Sequence, residues 1–346
     1  MHYKRVKIAA FGYELAPNVV TSEDLERRLA PVYERLRIQP GQLEALTGIA
    51  ERRFWDRDFQ LSRGAVLAGR KALAASGIDP NDIGMLIYGG VCRENLEPAT
   101  ACVVSHGLDL PADTQVYDVS NACLGVLNGM VQVANAIELG QVRAGLVVSC
   151  ETARPIVEAT IERILAEGSM ATFKEALATL TGGSGAVAVV LAADDAVHHG
   201  HRLLGAVARN AARHHGLCTW GNVDDAAANL NEIMRTDAVG VLKHGVSLGI
   251  ETFRAFMRTM AWPDGKPDKV ICHQVGAAHQ RTILEAIGID TARDFPTFPY
   301  LGNIGSVSLP ITAAIAHERQ FLAQGDLVGF LGIGSGLNCL FLGIAW

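Results

Sequence analysis

The sequence predicts an α/β protein built as two related halves, on three observations. Short apolar runs of strand length alternate with runs whose apolar residues recur every three or four positions. The chain has 346 residues, 49% of them hydrophobic and 19% charged, which is more than one ordinary core holds and suits two fused halves. The second part returns to the strand–turn–helix pattern of the first, with little sequence identity between them. The expected division is 1–193 and 194–346.

Residues 6–12 read as strand, and 22–36 as a helix capped by Thr21 or Ser22. Residues 62–76 form an amphipathic helix stopped by Gly77, and 85–91 a short apolar strand. Pro98 suits the first turn of a helix running through His106, with Gly107 ending it. Residues 115–117 are strand-like. From Leu124 onward, apolar residues at 124, 127, 130, 131, 134 and 137 keep helical spacing until Gly140. A strand follows at 144–149. Residues 152–181 carry two apolar stripes, one from Ile156 to Leu165 and one at Phe173, Leu177 and Leu180, and read as a helical insertion covering the core. A strand at 185–191 closes the first half. The second half reads as strand 203–207, a long helix 239–260, strand 269–272 ending at His273, helices 277–287 and 312–322, and closing strands 327–331 and 339–344.

A net charge of −6 argues against a nucleic-acid partner, which needs a basic surface. The seven cysteines (92, 102, 123, 150, 218, 272, 339) are dispersed, with neither CxxC nor zinc spacing. They read as reduced thiols of a cytoplasmic protein, and no metal site is expected. Met1-His2-Tyr3-Lys4-Arg5-Val6 lacks the features of a signal peptide, and no apolar run reaches the roughly 18 residues of a membrane span.

Cys123 lies in Asp118-Val119-Ser120-Asn121-Ala122-Cys123-Leu124-Gly125, where an extended run turns abruptly into a helix. A thiol at a helix N-terminus faces a positive dipole end that favours thiolate, and the free N–H groups there can hold an oxyanion. The competing reading is a buried, inert thiol. His273 follows a strand and precedes a helix, as a structural histidine also would. The units around Cys123 and His273 look like counterparts whose strand ends meet at one crevice. Asn303 sits between glycines in Leu301-Gly302-Asn303-Ile304-Gly305, a pattern that equally forms a simple turn.

Together, Ser120-Asn121-Ala122-Cys123, His273-Gln274 and Gly302-Asn303-Ile304-Gly305 resemble the Cys-His-Asn set of thiolase-fold condensing enzymes, in the ketoacyl synthase III branch. Gly332-Ile333-Gly334-Ser335-Gly336-Leu337 is similar to that branch's glycine-rich loop, and Thr47-Gly48-Ile49 with Arg52 to its N-terminal signature. Leu96-Glu97-Pro98-Ala99-Thr100, the segment from Leu29 to Trp55, the helical insertion and the terminal Trp346 resemble the OleA type. Those are the acyl-CoA head-to-head condensing enzymes of bacterial long-chain olefin biosynthesis.

The resemblance implies a thiolase fold, two duplicated α/β halves in an αβαβα arrangement, working as a homodimer. It implies a non-decarboxylative Claisen condensation of two fatty acyl-CoA molecules through an acyl-Cys123 intermediate. The product is a 2-alkyl-3-ketoacyl compound, passed to downstream pathway enzymes. Coenzyme A thioesters are substrates, and no cofactor is expected. His273 assists proton movement, and the backbones of Cys123 and Ser335 form the oxyanion hole. His273 and Asn303 stabilise the second thioester's enolate, and Glu97 acts as base in the partner subunit. On its own chemistry Glu97 is a surface carboxylate near a helix start, as is Glu94, which lacks the adjacent proline.

Two departures stand out. The synthase III branch places an asparagine shortly after His-Gln, where this chain has Val275-Gly276, so standard malonyl decarboxylation is not expected. The coenzyme A contacts do not carry over; Arg209, Arg213, Lys243 and Arg254 are candidate phosphate partners, and each reads equally as a solvated surface charge. The other activities compatible with the chain are condensation with malonyl-ACP and acyl transfer to an oxygen or nitrogen nucleophile.

Overall fold

A computed structural model describes residues 1–221, 233–262 and 265–346. The first part of the chain runs β1 (Val6–Leu15), β2 (Asn18–Thr21), α1 (Ser22–Arg28), α2 (Ala30–Leu36), α3 (Gln42–Thr47), β3 (Glu51–Phe54), α4 (Leu61–Ser76), β4 (Ile83–Gly89), α5 (Thr100–Gly107), β5 (Gln115–Val119), α6 (Gly125–Glu138), β6 (Ala144–Glu151), α7 (Arg154–Glu167), α8 (Met170–Leu180) and β7 (Gly185–Ala193). It continues as β8 (His201–Asn210), β9 (Cys218–Gly221), β10 (Ile233–Thr236), α9 (Ala238–Met260), β11 (Lys269–Cys272), α10 (Ala277–Ile287), α11 (Phe298–Leu301), α12 (Ser308–Glu318), β12 (Leu327–Gly334) and β13 (Asn338–Ala345).

Nine strands form one mixed sheet in the order β11-β12-β13-β8-β1-β7-β6-β4-β5. The N-terminal and C-terminal strands of the sheet are joined where β1 meets β8, through Lys7↔Arg202 and Ile8↔His201. Alternation along the strands sorts side chains to two faces. Val187, Val189 and Leu191 join α6, α12 and the C-terminal Val328, Phe330, Leu340 and Leu342 in a central core. Ala186, Ala188, Val190 and Ala192 pack instead with α4 and α5. On the far side β11, β12 and β13 cover α9 and α10. Helices therefore lie outside, between and outside two strand layers, the αβαβα plan of the thiolase fold.

The strand order corrects one expectation. β4, β6, β7 and β1 correspond in position to β11, β12, β13 and β8, and the fifth position beside β11 is held by the single bridge Val270↔Asp294. The counterpart of the β5–Cys123–α6 unit is thus the segment through Asn303 into α12. His273, at the end of β11, corresponds to the turn after β4.

Element ends also differ from expectation for local reasons. The helix expected over 22–36 is split at Leu29, with Pro31 in the first turn of α2. Residues 152–181 form two helices parted by Gly168 in the left-handed region, and Ser169 caps the second. Pro98 lies before α5 rather than in it, because Asp118 accepts the Thr100 and Ala101 N–H groups at 2.9 Å each and fixes the start at Thr100. The helix expected at 312–322 starts earlier, at Ser308, with Pro310 in its first turn and Glu318 at its end. Arg52, part of the N-terminal signature, is wholly buried and donates to Ser22 Oγ at 3.0 Å, so its role is to hold β3 against α1. Among the described residues no helix is long and apolar enough to cross a membrane.

His201 stacks on Trp346 with ring centroids 3.7 Å apart, and burial, then His317 and His199, pushes its pKa down to about 4 from 6.5. The folded state binds fewer protons than the unfolded state between those values. Stability present above about pH 6.5 should therefore fall as pH drops towards 4. Melting temperature measured from pH 7 to 4.5 should decline, and His201→Phe should flatten part of the decline. An unchanged profile would show that His201 does not contribute.

Candidate active site

The Cys123 turn is set by backbone contacts. Gly89, ending β4, and Gly125, starting α6, touch main chain to main chain; a Cβ on Gly125 would lie 2.7 Å from Gly90 N. Ala122 takes φ 47°, and the Leu124 N–H bonds the Asn121 carbonyl at 2.9 Å, turning the chain sharply into α6. Asn338 Nδ2 donates to Asn121 Oδ1 (3.1 Å) and to the Ser335 carbonyl (3.3 Å), tying this turn to the glycine-rich β12–β13 connection. A Cβ on Gly334 would sit 3.4 Å from Cys123 N, so the two backbones run side by side.

Asn303 is locked by its neighbours. Its N–H donates to the Thr181 carbonyl and its carbonyl accepts from Gly183, both at 2.9 Å. Gly302 has φ 68°, and a Cβ there would lie 2.5 Å from the Thr181 oxygen, so only glycine fits. Asn303 Oδ1 accepts from the Gly305 N–H at 3.1 Å, which leaves the amide NH2 as the group to offer a ligand. Gln274 accepts from the Thr297 (2.8 Å) and Phe298 (3.1 Å) N–H groups, linking the residue after His273 to the segment leading to Asn303.

Cys123, Asn303 and Ser335 line one cavity of about 310 Å³. Its walls include Ile156, Ala178, Trp220, Met234 and Ile304, drawn partly from the helical insertion. A larger cleft of about 560 Å³ continues along α7 past Leu96, Pro155 and Ala159, sharing Val91, Thr152, Ile156 and Trp220 with the first. His273 lines a separate, smaller cavity with Gly245, Gly249, His279 and Ile283. Among the described residues no hydrogen bond joins Cys123 to His273 or Asn303.

Electrostatics correct the expected thiolate. Burial, then the charge of Glu151 and then Cys218, pushes the Cys123 thiol up to about 12, against a backbone hydrogen bond that lowers it. Burial and then His279 push His273 down to about 4. At neutral pH Cys123 is therefore a thiol and His273 a neutral imidazole.

Glu97 is exposed, beside the 91%-exposed Leu96, and does not line the Cys123 cavity. Glu94 is committed elsewhere: its Oε1 accepts from the Ser62 N–H (2.7 Å) and hydroxyl (2.8 Å) at the start of α4. Arg209, Arg213, Lys243 and Arg254 are exposed, and none lines either cavity. Arg213 donates to His214, whose ring stacks on His244 at 3.8 Å, so Arg213 and Lys243 share a patch near the start of α9, while Arg254 lies further along it. Sequence reasoning missed Glu151, Cys218 and Ser306. Glu151 and Cys218 line the Cys123 cavity, and Ser306 bonds Glu151 beneath it. The only prior signal was a lone acidic residue ending an apolar strand.

The chain's own likenesses agree with this geometry. Residues 52–219 match the thiolase N-terminal domain, and residues 259–346 match the C-terminal part of 3-oxoacyl-[acyl-carrier-protein] synthase III. The chain is 53% identical over 350 residues to an acyl-CoA:acyl-CoA alkyltransferase of Shewanella oneidensis, covering all of both chains. The chain belongs to the acyl-CoA:acyl-CoA alkyltransferase family. A second member, from Xanthomonas campestris pv. campestris, is 38% identical over 347 residues, again with all of both chains covered. A crystal structure of Xanthomonas campestris OleA with one cysteine changed to alanine superposes with a TM-score of 0.94 at 37% identity, covering 100% of this chain and 98% of that one. Another OleA structure, with bound lauric acid and lauroyl-CoA, gives 0.91 at 37% identity, covering 99% and 100%. Further OleA structures from this organism carry substitutions at one glutamate or at one histidine. As an alkyltransferase-family member, the chain is a thiolase-fold acyltransferase.

Proposed function

We propose that this enzyme joins two fatty acyl-CoA molecules by a non-decarboxylative Claisen condensation. The observation that carries the reading is the convergence of Cys123, Asn303 and Ser335 on one apolar cavity, in a chain alkyltransferase-like from end to end. The Cys123 thiol adds to the first thioester carbonyl while the neutral His273 imidazole takes its proton, and coenzyme A leaves with that proton. N–H groups of Cys123 and Ser335 hold the oxyanion. The acyl chain lies in the cavity walled by Ile156, Ala178 and Trp220.

A second acyl-CoA then loses its α-proton to Glu97 of the partner subunit, and the enolate is held by Asn303 and His273. Its carbon attacks the acyl-Cys123 carbonyl and expels the Cys123 sulfur. The product is a 2-alkyl-3-ketoacyl thioester or the acid from its hydrolysis. The exposure of Leu96 and Glu97 suits a homodimer in which each loop completes the neighbouring site. Arg213 and Lys243, sharing one patch, suit the coenzyme A phosphates better than Arg254 does.

The test supplies one acyl-CoA alone and, in parallel, with malonyl-ACP, and identifies products by mass spectrometry. Acyl-CoA alone should yield the coupled product. Product only with malonyl-ACP, or transfer to an added alcohol or amine alone, would overturn the reading.

A further inference from the structure

Glu151 ends β6 and is 4% exposed, yet it lines the cavity that holds Cys123. Its Oε1 accepts from the Val91 N–H (3.0 Å) and the Ser306 hydroxyl (2.6 Å), and its Oε2 from the Cys92 N–H (3.0 Å). Ser306 Oγ also lies 3.1 Å from Ser149 Oγ and from the Gly89 carbonyl. Trp55 Nε1 donates to the Glu151 carbonyl at 3.1 Å, fixing the residue's own backbone. Among the described residues no Lys or Arg pairs with this carboxylate. A buried carboxylate is costly unless its acceptors are satisfied, and here three donors satisfy them.

The donors come from two meaningful places. Val91 and Cys92 are the root of the loop that carries Glu97, and Ser306 follows Asn303 in the same turn. A Cβ on Gly305, between them, would lie 3.4 Å from the Glu151 carboxyl carbon, so the turn rests directly on it. We propose that Glu151 is a positioning residue that clamps the Asn303 turn and the root of the Glu97 loop to the Cys123 cavity, and so serves the carbon–carbon coupling step rather than acylation. This rests on the condensation proposed above. Both carboxylate oxygens are already engaged as acceptors, which suits a clamp and not a base.

The clamp's charge supplies an independent readout. After burial, Glu151 is the largest influence raising the Cys123 thiol. The other titratable groups acting on the pair are Cys218 beside Cys123, and Tyr88, Cys92 and Cys150 around Glu151. Glu151→Gln keeps the shape, removes the charge and sets an amide NH2 against one of the donors.

Three rates are measured in the parent and in Glu151→Gln: single-turnover acylation of Cys123, condensation, and iodoacetamide alkylation of Cys123 against pH. Acylation should persist near the parent rate while condensation falls roughly tenfold or more. The alkylation profile should move to lower pH. Parent-like condensation overturns the proposal, as does acylation falling in step with condensation, or an unmoved alkylation profile. Should Glu151→Gln fail to fold, Ser306→Ala removes only the hydroxyl donor, and the same split between acylation and condensation is expected; loss of both, or of neither, overturns the clamp. A parent enzyme that condenses nothing refutes the proposed function instead, and the alkylation profiles still decide the role of the Glu151 charge.

Discussion

Cys123→Ala should abolish both the acyl adduct and condensation, with a loss of at least about a thousandfold. Intact-protein mass after acyl-CoA treatment should show one adduct on the parent, mapped to the peptide containing Cys123. The competition is specific: Cys218 lines the same cavity, and Cys92, Cys150 and Cys272 are held well above the ordinary thiol range by burial. An adduct at Cys218 would move the nucleophile across the cavity and sink the assignment. The resting protonation states add a pH signature. With the thiol raised to about 12 and His273 lowered to about 4, the proposed mechanism has acylation at neutral pH proceed by proton transfer to the imidazole. His273→Asn should therefore acylate slowly at pH 7 and recover as rising pH ionises Cys123. The parent should keep its rate down to mildly acidic pH, because His273 stays neutral there.

Glu97→Ala should separate the two half-reactions. Acylation needs a thiol, a proton acceptor and an oxyanion hole; coupling also needs an α-proton removed. The variant should accumulate acyl-Cys123 that slowly hydrolyses, with coupling down roughly a hundredfold or more. Because Glu97 does not line its own cavity, the loss should be complemented between subunits. Mixing Cys123→Ala with Glu97→Ala protein under demonstrated subunit exchange should restore part of the activity, since hybrid dimers hold one complete site. Glu97→Ala coupling at the parent rate would make the residue a surface charge beside α5. Exchange without recovery would leave Glu97 acting within its own subunit or not at all.

The parts of this account legible in the sequence are those where a local rule fixes structure. Apolar periodicity placed the strands of the large sheet and most helices, because the two faces of a buried strand and the inner stripe of a helix must both be apolar; it did not foresee the short pairs β2–β3 and β9–β10, which are only half-buried. Cys123 stood out because an extended run turned into a helix within a few residues. Boundaries failed where a distant partner decides them: Asp118 sets the start of α5 from another strand, and no local pattern records that. The pairing of halves failed for the same reason. His273 looked like the counterpart of Cys123 by its strand–turn–helix setting, but the strand order gives that place to the Asn303 segment. The raised Cys123 thiol was not legible because helix position is local, whereas burial and the charge of Glu151 come from distant residues. Glu151 was missed because its meaning lies in donors from residues 91, 92 and 306, far apart in sequence.

The most direct test of the condensation uses a single fatty acyl-CoA carrying heavy carbon at its thioester carbonyl, with no malonyl donor present. Both carbonyl carbons should be retained, so the isolated 2-alkyl-3-ketoacyl product should carry two heavy atoms, one in the ketone and one in the terminal carboxyl or thioester. Coupling that appears only when a malonyl thioester is added, with one heavy atom in the product and carbon dioxide released, would contradict the account.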